Sequence, residues 1–81
     1  MGNAIKTSAW RRRKIQKEIG DRDAWQCKLC GQPVDPLLPF DDPMRPSLDH
    51  IVPKSLGGTN ARHNLRLTHH VCNHLRGIKP A

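Results

Sequence analysis

The chain has 81 residues, room for one small domain, and about 36% of it is hydrophobic, with two Trp, one Phe and no Tyr. A domain of this size buries only about 60–65% of the surface its unfolded chain exposes, so a metal, a disulfide or a partner is expected to staple it. Fourteen Lys and Arg against seven Asp and Glu leave a charge of +7, which suits a polyanion such as nucleic acid, because basic groups placed on phosphates release condensed counterions. No apolar run approaches the roughly 20 residues of a membrane span. The start, MGNAIKTSAWRRRK, lacks the apolar stretch of a secretory signal, so a cytoplasmic protein without a membrane partner is expected.

In chain order, residues 1–7 show no periodicity and read as a flexible arm, followed by one domain over 8–81. Ser8 can cap a helix running to about Ile19, with Gly20 as its stop. Trp10, Ile15 and Ile19 fall near one face of it, and Arg11, Arg12, Arg13 and Lys14 form a basic cluster suited to phosphate contacts or simply to solvent. A tight CxxCG turn closes residues 21–31. Five prolines between 33 and 46 exclude helix or central strand there and predict an irregular loop over a small core. SLDHIV (47–52) reads as a strand, the Gly57-Gly58 segment as a loop, NLRL (64–67) as the returning strand, and HHVCNHLRG (69–77) as a helix stopped by Gly77.

Three cysteines make an odd count, which argues against a closed disulfide framework in an intracellular chain. Cys27 and Cys30 have the spacing by which one turn points two thiolates at one ion, and His69 and Cys72 repeat it. Together they form a Cys3His zinc set, with His70 as a competing fourth ligand. A redox CxxC would need a βαβ context that this chain lacks. Four protein ligands leave no open position, so this zinc is structural.

Asp49 is a hard oxygen ligand beside the imidazole of His50, and Asn73 or His74 on the last helix can supply a second ligand. Two protein ligands completed by water and phosphate oxygens describe a Mg2+-type site for phosphoryl transfer. Neighbours on a strand point to opposite faces, so Asp49 and His50 can share a site only at a bend or a strand end.

Taken together, CxxCG, DHIVPxxxGG, NLRL and HxxCNxxRG, in this order and spacing, resemble the HNH nuclease family over roughly residues 8–77. The resemblance implies an α+β ββα-metal fold with an N-terminal basic helix and a zinc knuckle. It also implies a metal-dependent DNA endonuclease, nicking or cutting both strands, with a catalytic Mg2+, Mn2+ or Ni2+ ion. Asp49 matches the family's metal ligand, His50 its general base, and Asn64 its central Asn, which orients loop and base. Asn73 falls at the third motif position, His in many members and Asn in others, with His74 the alternative ligand. Arg76 falls where a Lys is common, a phosphate contact. The second zinc pair is HxxC where CxxC is usual, and His remains an acceptable ligand. A zinc module that only binds DNA, or an accessory subunit of a larger nuclease such as a phage packaging machine, is the alternative expectation. So short a chain leaves specificity to the basic helix, a dimer or a larger phage or bacterial partner.

Overall fold

A computed structural model describes residues 3–76, with side chains from position 11 onward. The elements are α1 (Asn3–Arg22), β1 (Pro46–His50), β2 (Leu65–His69) and α2 (His70–Arg76), with two short 3-10 turns, Lys54–Leu56 and Arg62–Asn64, between the strands. The Trp10 side chain and Gly77 lie outside the described residues.

Helix α1 is longer at both ends than its sequence signals suggest. It is already helical at Asn3, where an arm was expected, and it runs through Gly20 to Arg22. Gly20 is needed for packing: a Cβ there would sit 2.4 Å from the Trp25 indole. The true end is a Schellman turn, in which the Trp25 amide donates to the Gly20 carbonyl (2.8 Å) and the Ala24 amide to Asp21 (3.4 Å). Ala24 (φ 57°) and Trp25 (φ 51°) are both left-handed, so the turn forms without the usual glycine.

The strands pair antiparallel, with Leu48 opposite Leu67, Asp49 opposite Arg66 and His50 opposite Leu65. β1 stops at His50, two residues early, while β2 runs two residues beyond Leu67, so His69 ends a strand where a helix start was expected. Alternation gives this ribbon two faces. Leu65, Leu67 and Leu48 join Ile19, Val34, Cys27, Ile15 and Trp25 in the small core under α1. Ser47, Asp49, Arg66 and Thr68 face α2, which is a polar layer.

α1 is tied to the ribbon by charge as well as by packing. Arg22 donates to the carbonyls of Leu65 (2.6 Å) and Arg62 (2.8 Å), and Asp23 accepts from the Leu67 amide (2.9 Å). Burial alone would raise the Asp23 carboxyl, but hydrogen bonds from Arg22 and Leu67 outweigh it and hold the group below the usual carboxylate range. The proline-rich stretch is irregular, as expected. Its end caps α2: the amides of His70 and Val71 donate to Arg45 and Pro43 carbonyls, each at 2.9 Å. It covers the core only through Val34, because Leu37 and Phe40 stand almost fully exposed.

Candidate zinc knuckle and nuclease site

The knuckle is built by local hydrogen bonding and docked on the ribbon. The Cys27 amide donates to Gln32 (2.9 Å), the Gly31 amide to Cys27 (2.8 Å), and Gly31 takes the left-handed conformation (φ 81°) that the turn requires. The Lys28 amide then donates to the Leu67 carbonyl (2.8 Å), which places both cysteines at the end of β2. One ligand atom each from Cys27, Cys30, His69 and Cys72 lies within 4.8 Å of all the others.

The donor chemistry fits zinc. His69 Nε2 donates to the Pro33 carbonyl (2.9 Å), so its Nδ1 keeps the lone pair. That Nδ1 lies 3.4 Å from Cys30 Sγ and 3.7 Å from Cys72 Sγ. Zinc bonds of about 2.0–2.3 Å in a tetrahedron put neighbouring donors roughly 3.5–3.8 Å apart. Burial pushes the Cys27 thiol up, but amides of Cys30, His69 and Leu29 more than offset this and bring it down to about 6. Burial and the neighbouring Cys30 and Cys27 sulfurs push Cys72 up to about 12. The cluster can hold a zinc ion. His70 stays outside it, its ring stacked on His74 with centroids 6.3 Å apart.

On the α2 face of the ribbon, Asp49 is 2% exposed and carries two ion pairs. Arg66 Nε donates to Oδ2 at 2.7 Å and Arg76 Nη1 to Oδ1 at 2.6 Å. Arg76 also donates to the carbonyls of His50 (3.1 Å) and Ile51 (3.0 Å), so it pins the end of β1 to α2. Arg66 Nη2 and Arg76 Nε are buried without a partner among the described residues.

Asn73, one helical turn before Arg76, donates through Nδ2 to Ser47 Oγ (3.2 Å) and to the Leu48 carbonyl (3.3 Å). Its Oδ1 is therefore the group left to offer a cation. His74 is exposed, and its ring stacks on His70. The oxygen donors Asp49 and Asn73 thus lie on facing elements and suit a hard divalent ion. Such an ion must share or displace the arginines on Asp49.

His50 is the last residue of β1, paired with Leu65 in the ribbon register. Its Nε2 lies 2.8 Å from Asn60 Oδ1. Asn64 is buried and ties the loop between the strands: Oδ1 accepts from the Val52 amide (2.9 Å), and Nδ2 donates to the carbonyls of Val52 (3.1 Å) and Thr59 (2.7 Å). Arg11, Arg12, Arg13 and Lys14 are exposed on α1, with Lys14 in electrostatic reach of Glu18. Sequence reasoning missed Asn60 and the pairing of Arg66 with Asp49. Only the register that sets Arg66 opposite Asp49 would have signalled the latter.

A two-stranded ribbon and a following helix, with an adjoining Cys3His knuckle, define a small α+β domain of the ββα-metal kind. The family model for HNH endonuclease matches residues 27–77, and the chain belongs to that family. It is also 34% identical over 80 residues to the CRISPR-associated endonuclease Cas9 of Corynebacterium diphtheriae, covering 98% of this chain and 6% of that protein's length. No solved structure matches.

Proposed function

We propose that this chain hydrolyses phosphodiester bonds in DNA, nicking or cutting duplexes, with His50 as general base. The carrying observation is the end of β1, where the buried carboxylate of Asp49 lies on the ribbon face held by Asn73 and Arg76 of α2, and the next residue in the chain, His50, has its ring hydrogen-bonded to Asn60. His50 takes a proton from water as the water attacks phosphorus. Asp49 and Asn73 hold a divalent cation, Mg2+, Mn2+ or Ni2+, which when bound stabilises charge on the leaving oxygen. Asn64 fixes the loop that faces His50, and Cys27, Cys30, His69 and Cys72 hold a structural zinc. Arg11, Arg12, Arg13 and Lys14 grip DNA phosphates, and Arg76 contacts the phosphate at the site.

A cytoplasmic setting in a bacterial or phage-infected cell is consistent with the charge, and no described helix is long and apolar enough to cross a membrane. The relative in which the matching stretch is 6% of the protein supports a nuclease unit that works beside or within a larger partner. A second reading, a zinc module that binds DNA without cutting it, is favoured by one observation: both oxygens of Asp49 are already held by arginines.

Supercoiled plasmid incubated with Mg2+, Mn2+ or Ni2+, with EDTA as control, separates the two. The nuclease reading expects relaxed or linear product that EDTA removes, and loss of cutting by roughly 100-fold or more in His50→Ala with DNA binding retained. Undiminished cutting by His50→Ala overturns the mechanism. Binding measured at several salt concentrations tests the helix: replacing its four basic residues should flatten the salt slope by about 0.9 for each phosphate that is no longer neutralised.

A further inference from the structure

The loop between the strands is folded to deliver one side chain. Gly57 takes a left-handed conformation (φ 92°) at the close of the first 3-10 turn. At Gly58 the loop presses so closely on its own start that a Cβ would sit 1.7 Å from the Val52 carbonyl oxygen. Asn64 then ties Val52 at one limb to Thr59 at the other. The next residue, Asn60, is thereby brought beside the His50 ring, with Oδ1 2.8 Å from Nε2.

We infer that Asn60 is a positioning residue that sets the tautomer of His50, holding the proton on Nε2 and leaving Nδ1 as the atom that accepts a proton from water. An amide oxygen only accepts, so the ring nitrogen facing it must carry hydrogen. The neutral imidazole then has one lone pair, on Nδ1. The knuckle uses the same device with a different partner: His69 Nε2 donates to the Pro33 carbonyl, and Nδ1 faces the cysteines. At His69 the acceptor is backbone. At His50 it is a side chain, and a single substitution removes it. Asn60 is exposed and makes no other side-chain hydrogen bond among the described residues, so its role is directed at His50 rather than at the core.

The catalytic part of this inference rests on His50 as general base, and the test separates the two. Long-range 1H–15N spectra of the zinc-loaded full chain report which ring nitrogen of His50 carries hydrogen. Single-turnover plasmid nicking with Mn2+ reports the rate, alongside DNA affinity and thermal melting. Asn60→Ala should convert the single Nε2–H form to a mixture and slow nicking about 10–100-fold, with DNA affinity and melting little changed. Asn60→Asp keeps an acceptor oxygen, so it should keep the Nε2–H form and recover much of the rate. A single Nε2–H form persisting in Asn60→Ala overturns the inference. So does an unchanged nicking rate in Asn60→Ala when His50→Ala is inactive. If His50→Ala cuts like wild type, the general-base reading fails, and the catalytic role of Asn60 fails with it.

Discussion

The knuckle and the Asp49 layer are both clusters of polar groups at the ribbon, and they gather their charge in opposite ways. At the knuckle, three cysteines and Nδ1 of His69 converge on a common centre. Thiols are weak hydrogen-bond partners, so this convergence is suited to an ion from outside. In the Asp49 layer the chain supplies its own cations, with a guanidinium on each carboxylate oxygen at 2.6–2.7 Å. A cluster of the first kind makes folding depend on metal, whereas one of the second kind holds the fold together unaided and makes any entering cation compete. In the function proposed above, the first cluster would hold a metal for structure and the second would admit one for chemistry.

Metal removal should have the largest effect. Stripping zinc with a strong chelator, or replacing Cys27 with Ser, should remove roughly 10 kcal/mol or more of metal-linked stability and unfold so small a core. Circular dichroism and metal analysis check this, with about one zinc per chain expected in the folded protein. The sign of the pH dependence follows from the thiols. Cys27, at about 6, is a thiolate at neutral pH and takes up a proton as the pH falls through that value. Cys72, at about 12, keeps its proton at neutral pH and must release it to bind zinc. Zinc affinity should therefore rise with pH, and zinc uptake should release protons, measurable by calorimetry in buffers of different ionisation enthalpy.

A second, smaller effect is expected in the Asp49 layer. Asp49→Asn leaves the buried Arg66 and Arg76 without their countercharge and should cost about 3–5 kcal/mol in denaturant unfolding. Zinc content should be unchanged, because the two clusters share no side chain. Loss of zinc from this variant would show that the clusters are coupled. The smallest effect lies outside both clusters, at the Schellman turn. Ala24 is exposed with φ 57°, so Ala24→Gly relieves a left-handed alanine and should stabilise by up to about 1 kcal/mol. A melting scan checks it, and zinc affinity should not move.

Much of the site is legible in the residues because its signals are local. Two residues between Cys27 and Cys30 make a turn that presents two sulfurs, whatever the rest of the chain does. The order strand, loop, strand, helix follows from β-branched and leucine-rich segments around Gly57-Gly58. The end of α1 is different. Gly20 carries the sequence signature of a stop yet lies inside the helix, because the Trp25 ring occupies the space of its missing side chain. The actual stop uses two non-glycine residues held left-handed by hydrogen bonds to Gly20 and Asp21.

The Cys3His cluster that can hold a metal, the basic face of α1 and the small α+β architecture with its family were all readable from the residues in order. They depend on spacing, composition and periodicity, which operate over a few positions. Packing was needed to bring Arg66 and Arg76 onto Asp49, to turn Asn73 rather than His74 toward β1, and to carry Asn60 to His50. Each of these contacts joins different elements, and its geometry is set by the ribbon register, the rotation of α2 and the fold of a loop. A shift of one residue in that register would turn Asp49 to the other face, so no local pattern can encode it.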